Sequence, residues 1–219
     1  IVIRGERLRG GGSEVASVTL GGVEVSSINS ENDTLVEVAA AAGDESSSSE
    51  DVVLTADTGA VITASATWSY IEEGTIDTIS PGSGQGGTDV TILGSGMLGG
   101  GTSVASISLA GVACSDASGN DTVAYCSAQS GTAGTGDVVI VSDTGAIVTA
   151  DDGFVYAADG EISSVTPNAG QAGTYVTIRG TGMLGGGEAV ELVRFGGVAI
   201  SALLDGANDT FIVARPGSG

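Results

Sequence analysis

Two aspartates carry the most catalytic-looking pattern in this sequence, Asp57 and Asp143, because each opens an Asp-Thr-Gly triplet after an apolar run. In aspartic proteases two such carboxylates lie about 3 Å apart and share a proton. Here both triplets occupy the same place in a repeated segment, where they are predicted to form hairpin turns. Turns of consecutive units would not approach so closely, so we predict that the chain is not an enzyme.

The charge of the chain excludes several further classes of function. Its 27 acidic residues face six arginines, with no lysine and no histidine, for a net charge of −21. Without histidine the commonest general base and transition-metal ligand are missing, so no cofactor or metal site is expected. The acidity disfavours nucleic-acid partners and anionic lipid surfaces. No apolar run reaches transmembrane length, so no membrane insertion is expected in this segment.

The elements that would position any site are predicted to be short strands. Hydrophobic residues make up 41% of the chain and aromatic residues only 4%, while glycine occurs 38 times. Residues 89–93 alternate polar and apolar side chains, and residues 138–141 form a continuous apolar run. These patterns favour half-buried and fully buried strands joined by glycine turns. The prediction is an all-β chain.

Internal repetition is the strongest signal in the sequence. A glycine-rich block at residues 91–101 returns at 177–187 and, in degenerate form, at 2–12, which gives a period of about 86–89 residues. It lacks the Gly-Lys-Ser/Thr ending of a phosphate-binding loop. We therefore interpret it as a backbone loop whose methionines, Met97 and Met183, cap the end of a unit.

The repeats define three predicted domains, residues 1–73, 74–160 and 161–219. Each unit opens near Ile-x-x-Ile/Val-x-Pro and closes at an aromatic-x-Tyr pair. By this pattern the first unit lacks its opening strand and the third lacks its closing strands. Since a missing strand exposes a sheet edge, we expect residues 2–3 and 211–213 to contact material outside their own units.

A family resemblance follows from these blocks. The run Ile162-x-x-Val-x-Pro-x-x-Gly-x-x-Gly-Thr-x-Val-Thr-Ile-x-Gly-x-Gly, followed by Phe195-Gly-Gly-Val, resembles the IPT/TIG domain found in plexins and related proteins. The resemblance extends over essentially the whole chain. It implies tandem immunoglobulin-like β-sandwiches. It indicates function only weakly, because such domains serve as receptor stalks, ectodomain arrays, enzyme appendages and transcription-factor modules.

The three equivalent asparagines Asn32, Asn120 and Asn208 each begin an Asn-Asp-Thr sequence. Asn-Asp is a good turn former, and the turn alone would explain the repetition. Threonine two residues after each asparagine also makes a regular series of N-glycan acceptors. We predict glycosylation at these sites and leave the plain turn as the alternative.

The two cysteines, Cys114 and Cys126, lie at positions that are apolar in the other units. They flank the Asn-Asp-Thr turn on neighbouring predicted strands, and extracellular domains similar to IPT/TIG carry a pair here. We predict a disulfide worth about 2–3 kcal/mol. The alternative is a pair of buried thiols.

Two functions fit these observations. The first is a structural repeat segment of an extracellular, glycosylated filament or surface fibre, with other copies of the same protein and covalent glycans as partners. The second is the ectodomain of a cell-surface receptor or adhesin, in which the repeats are spacers or bind a ligand. A distinct surface on one repeat, with exposed aromatic side chains, would favour the second. We prefer the first, because the units are uniform.

Overall fold

The computed structural model describes residues 1–46, 48–204 and 206–217, and this part of the chain forms strands and turns without a helix. The all-β prediction is confirmed. Glycine permits the tightest turns: Gly21 and Gly22 have φ of 56° and 81°, and Gly196 and Gly197 have 55° and 84°. Two consecutive positive φ angles suit a two-residue hairpin between twisted strands.

The chain packs as two compact units, residues 1–73 and 74–219. The division into three domains stays a prediction, and we use repeat 1, repeat 2 and repeat 3 for residues 1–73, 74–160 and 161–219.

Repeat 1 is a sandwich of two antiparallel sheets, ordered β1-β5-β4 and β3-β2-β6-β7. Its strands are β1 Val2–Arg4, β2 Val15–Leu20, β3 Val23–Glu24, β4 Ser27–Glu31, β5 Leu35–Ala39, β6 Glu50–Ala56 and β7 Val61–Trp68. Alternate residues of the facing strands meet between the sheets, as period-two patterning requires. Val18, Leu20 and Val36 are fully buried there.

Repeat 2 has the same plan with two additional strands at its start, the second of which pairs in parallel with its last strand. Its sheets are ordered β13-β14-β10-β8 and β12-β11-β15-β16-β9. The strands are β8 Thr75–Ser80, β9 Ser83–Gly84, β10 Asp89–Ser95, β11 Val104–Leu109, β12 Val112–Ala113, β13 Ser115–Gly119, β14 Val123–Ser127, β15 Gly134–Ser142 and β16 Ile147–Tyr156. Ile92, Ile107, Leu109, Ile140 and Phe154 form the centre of its core.

Repeat 3 forms one sheet, ordered β17-β18-β21-β20-β19. Its strands are β17 Glu161–Thr166, β18 Val176–Thr181, β19 Arg194–Phe195, β20 Val198–Leu203 and β21 Phe211–Pro216. Its described core is small, with Val176, Ile178, Ile212 and Ala214 buried. The opening strand β17 is exposed along its length, including Ile162 at 61% exposure.

Candidate functional site

Each repeat carries an Asn-Asp-Thr turn in which the asparagine side chain is the central acceptor. Asn120 Oδ1 accepts hydrogen bonds from the backbone N–H of Thr122 at 2.9 Å, from the Thr122 hydroxyl at 3.0 Å and from the backbone N–H of Val123 at 3.1 Å. Asn32 and Asn208 accept equivalent bonds from the threonine two residues on. Side-chain bonding of this type stabilises a turn, so the triplet has a structural role in all three repeats.

The aspartate of the same turn holds the glycine-rich loop. Asp121 Oδ1 accepts the N–H of Leu98 at 3.0 Å, and its backbone carbonyl accepts the N–H of Met97 at 3.2 Å. Asp33 and Asp209 make equivalent side-chain bonds, at 3.2 and 3.0 Å. This role was not predicted from the sequence, although the common position of the aspartate in all three repeats is a signal for it.

The Asp-Thr-Gly aspartates hold the other end of the loop. Asp143 accepts the N–H of Thr102 at 2.9 Å and its hydroxyl at 2.6 Å. Asp57 accepts equivalent bonds from Ser13. Donation by the Thr102 and Ser13 hydroxyls, and then by their backbone N–H groups, lowers the pKa of Asp143 and of Asp57. Each carboxylate thus has an assigned structural partner within its own repeat.

These two contacts explain the glycine-rich loop, which we call the clamped loop (residues 94–102 in repeat 2). Asp121 holds the loop at Leu98 and Asp143 holds its end at Thr102. Met97 packs in the core of repeat 2 at 0% exposure, and Leu98 is buried at 4%. The N–H groups of Leu98 and Thr102 are used by protein carboxylates. Its role here is to close one end of the sandwich.

A disulfide joins Cys114 and Cys126, with Cα atoms 5.7 Å apart and a sequence separation of 12. Cys126 lies in β14, and Cys114 lies between β12 and β13, where the chain passes from one sheet to the other. The predicted pairing is therefore confirmed. Disulfides persist mainly in oxidising compartments.

The three predicted glycan acceptors lie on equivalent exposed turns. Asn32, Asn120 and Asn208 are all exposed. In each turn the amide oxygen accepts hydrogen bonds, and in Asn32 and Asn120 the amide nitrogen, which a glycan would join, donates none to the described residues. Asn208 differs, because its Nδ2 donates to the carbonyl of Gly206 at 3.2 Å. Glycosylation stays a prediction.

The outer face of one sheet differs between the repeats. In repeat 2 it carries Leu93 and Tyr125, which are 46% and 50% exposed. The strand registers place Arg4 and Glu37 at the same positions in repeat 1. Of the first two repeats, only repeat 2 has an exposed tyrosine and an exposed apolar side chain at these two positions.

Repeat 2 contacts repeat 3 through small residues. Gly185 and Gly186 of the repeat 3 loop lie beside Gln85 and Gly84 of repeat 2. Within repeat 2, Gln85 Nε2 also donates to the carbonyl of Ala158 at 2.6 Å. Gly160 packs on Gly182 just as Gly74 packs on Gly96 in repeat 2, so this contact belongs to the plan of a single repeat. A cleft of about 520 Å³ remains between the repeats, bounded partly by Gln85 and Leu184 of these segments.

Among the residues that the structure describes, no group of three or more histidine, cysteine, aspartate or glutamate side chains is placed to hold a metal ion. No helix that could cross a bilayer occurs in the same residues.

The fold and the clamped loop define a class, that of immunoglobulin-like sandwich repeats. The family model for the IPT/TIG domain matches residues 75–156, which are repeat 2 almost entirely. Repeat 2 is therefore an IPT/TIG domain, and the resemblance of the chain to a tandem array of IPT/TIG-type domains is confirmed. Comparison with curated proteins gives no significant match.

Three solved structures are similar in part. The full extracellular region of plexin A4 shares 19% identity with a TM-score of 0.49, over 99% of this chain and 19% of that one. SGBP-B of Bacteroides ovatus, solved with a mixed-linkage heptasaccharide, shares 16% identity with a TM-score of 0.32. The match covers 75% of this chain and 43% of that one. A surface glycan-binding protein of Prevotella bryantii shares 13% identity with a TM-score of 0.32, over 68% of this chain and 38% of that one. The chain thus spans about a fifth of the plexin A4 chain.

Proposed function

We propose that this segment is a non-enzymatic structural part of an extracellular, glycosylated filament or surface fibre. The observation that carries the proposal is the repeated turn-and-loop unit. Three times, the same asparagine turn and aspartate contact hold the clamped loop, with the acceptor asparagine on the outside. Repeated units with a common exposed face are suited to a regular shaft.

Two further observations support this function. At the junction of repeats 2 and 3, the loop residues Gly185 and Gly186 lie against Gln85 and Gly84, which favours a fixed connection over a free linker. The disulfide in repeat 2 fits an extracellular location. Glycans on Asn32, Asn120 and Asn208 would cover an otherwise acidic surface.

The test is electron microscopy of the native material, combined with glycopeptide mapping. We expect long regular fibres and a mass loss at the three asparagines after glycosidase treatment. Isolated particles would overturn the fibre. An unchanged mass would overturn the glycan part and leave the turn as the whole explanation of the triplets.

One observation favours the alternative, a receptor or adhesin ectodomain. Tyr125 and Leu93 are exposed on one sheet face of repeat 2, at positions where repeat 1 has Glu37 and Arg4. Exposed aromatic side chains are enriched in binding surfaces. In this alternative, the native particles stay isolated, and Tyr125→Ser abolishes their ligand capture.

A further inference from the structure

Repeat 3 presents two arginines on the outer side of its sheet. The Cζ of Arg179 in β18 lies 5.1 Å from the centre of the Phe211 ring, and the Cζ of Arg215 in β21 lies 4.9 Å from the centre of the Tyr175 ring. These side chains point away from the core, because Ile178 between them in sequence is buried on the opposite side. Neither arginine forms an ion pair within the part of the chain that the structure describes. Both positive charges are therefore free to meet an acid from outside.

The aromatic rings hold these guanidinium groups in fixed places. Arg215 Nη2 also donates a hydrogen bond to the Tyr175 hydroxyl at 3.2 Å. A guanidinium stacked on a ring keeps its N–H edge available for a carboxylate. Arg179 and Arg215 lie in rows of the sheet that are four residues apart, which is about 13 Å. The registers of β17, β18, β21 and β20 place one acid on this side, Glu161 at the far end.

The equivalent face of repeat 2 carries acids at its two ends. At one end Asp89 accepts a hydrogen bond from Ser127, which stands at the position of the second arginine of repeat 3. At the other end Asp77 Oδ1 accepts a hydrogen bond from the Thr75 hydroxyl at 3.0 Å, and that hydroxyl lies 3.0 Å from the hydroxyl of Ser95 on β10. The acids thus occupy the ends at which repeat 3 has its arginines.

Apolar side chains occupy the middle of both faces. In repeat 2 these are Leu93 and Tyr125, which are 46% and 50% exposed. In repeat 3 the half-buried Phe211 and Val213 lie at the corresponding positions of the other strand, with Thr177 opposite Val213. An apolar centre within a polar rim is the usual arrangement of a protein interface. The two faces therefore match in their apolar centres and are opposite in the charge at their ends.

The charge of the whole chain selects the partner. Two molecules with a net charge of −21 repel each other, except where a positive place on one meets an acidic place on the other. Arg179 and Arg215 make such a positive place, because two of the six arginines lie on one sheet face. Repeat 2 makes the acidic place, since it has nine aspartates and no basic residue. A second copy of this chain therefore fits the face in sign and in spacing.

We propose that the outer face of the β17-β18-β21-β20 sheet in repeat 3 binds the outer face of the β13-β14-β10-β8 sheet in repeat 2 of a neighbouring molecule of the same protein. Arg179 and Arg215 meet the two acids at the ends of that face. Tyr125 is covered between them. Because the two faces differ, the contact is heterologous, so each added molecule leaves a free face for the next. The inference rests on the proposed fibre and supplies the contact that joins its molecules.

Reversing the charge of each face tests the contact. Sedimentation equilibrium of the 219-residue chain in about 0.15 M sodium chloride measures association, and the wild type is expected to associate as its concentration rises. One double variant combines Arg179→Glu with Arg215→Glu, and the other combines Asp77→Arg with Asp89→Arg. Each should weaken association by at least about tenfold, because each sets like charges against each other.

The two double variants are expected to restore association when they are mixed. In the mixture, the acidic repeat 3 face of the first variant meets the basic repeat 2 face of the second. The remaining two faces are unchanged and form the wild-type contact. A variant that had lost its fold would not restore association in this way. Mixing without recovery would overturn the proposal, and so would a wild-type chain that stays monomeric.

Asp44→Arg with Asp151→Arg is the matched control, because both acids are exposed and lie outside the two faces. This control and the variant of Asp77 and Asp89 each change the net charge from −21 to −17, since each of the two substitutions adds two charges. The proposed contact predicts weaker association in the face variant and no weakening in the control. Equal association of the two would show that net charge alone governs assembly and would overturn the contact.

An anionic polysaccharide is the other partner that two exposed arginines could recognise, and heparin is the probe for it. Heparin binding that is lost in the variant of Arg179 and Arg215, with self-association unchanged, would assign the face to a polysaccharide and overturn the proposal.

The fibre and the contact can fail separately. Native fibres whose density map shows no contact between repeat 3 of one molecule and repeat 2 of the next would remove this contact alone. Association of the chain that responds to the charge reversals, without fibres in the native material, would remove the fibre alone.

Discussion

Individual aspartates in this protein hold loops. Asp143 and Asp57 accept hydroxyl and backbone bonds that lower their pKa. Because the pKa is lower in the folded chain than the ordinary carboxyl value, these bonds stabilise the fold fully above that ordinary value. The contribution is lost as the pH falls through the folded pKa.

The variant Thr102→Val tests this contribution. It removes the hydroxyl donor, so the folded pKa of Asp143 rises towards the ordinary value and acid unfolding begins at a higher pH. Circular dichroism followed from about pH 6 to pH 2 measures the change. Thr149→Val, at an exposed threonine of β16, is the matched control and should leave the transition in place. A Thr102→Val transition identical to that of the wild type would contradict the assignment.

Tyr156 gives a second prediction for a single residue. Its ring packs on Gly131 and edge-on to Phe154 with centroids 5.2 Å apart. Its hydroxyl is buried without a polar partner in the described chain, and burial raises the pKa of Tyr156. Tyr156→Phe is therefore expected to be neutral or to stabilise by up to about 1 kcal/mol in urea unfolding. Phe154→Ala, for comparison, should cost about 3–5 kcal/mol. A loss above about 1 kcal/mol in Tyr156→Phe would reveal a partner for the hydroxyl.

Among the elements, the crossing between the sheets of repeat 2 is fixed by the disulfide. Repeat 1 has Val25 and Val38 at the same positions, both buried. The double variant Cys114→Val and Cys126→Val thus keeps the core apolar and removes only the link. We expect it to lose about 2–3 kcal/mol, measured by urea unfolding. Reductant should destabilise the wild type and leave the variant unchanged, and equal stability of the two would refute the prediction.

The start of repeat 3 depends on a close glycine contact. An added Cβ at Gly160 would lie 2.5 Å from the carbonyl oxygen of Gly182, as one at Gly74 would lie 2.3 Å from that of Gly96 in repeat 2. Gly160→Ala should therefore lower the free energy of unfolding by about 1–3 kcal/mol and loosen β17 against β18. Gly82→Ala is the control, because its Cβ would meet only an ordinary contact at 3.7 Å. Hydrogen exchange of β17 measures the effect, and equal exchange in both variants would contradict the close contact.

The elements themselves could be predicted from the sequence because their signals are local. Alternation in residues 89–93 and the Asp143 turn indicated β10 and the β15–β16 hairpin, both of which the structure contains. The clamped loop could not be predicted in full. Its bond from Leu98 to Asp121 joins residues 23 apart, and the contact of Gly131 with Tyr156 depends on how the chain returns across the core. Such pairs depend on tertiary packing and leave no local pattern.

At the scale of the whole molecule, charge sets the conditions for assembly. The net charge is −21, and Arg9 with Glu31 is the one ion pair in the described residues. Arg179 and Arg215 instead lie over the rings of Phe211 and Tyr175. Most acidic side chains are therefore left to repel a neighbouring molecule.

This repulsion makes fibre assembly sensitive to salt. The screening length falls from about 30 Å at 0.01 M salt to about 8 Å at 0.15 M, so the barrier between acidic molecules should fall over that range. We expect fibre mass, measured by sedimentation, to rise with sodium chloride. Magnesium chloride at equal ionic strength is the control, since a larger rise with magnesium would indicate that divalent cations bridge carboxylates, and an equal rise would indicate screening alone. A fibre mass that does not change with salt concentration would show that charge repulsion does not limit assembly.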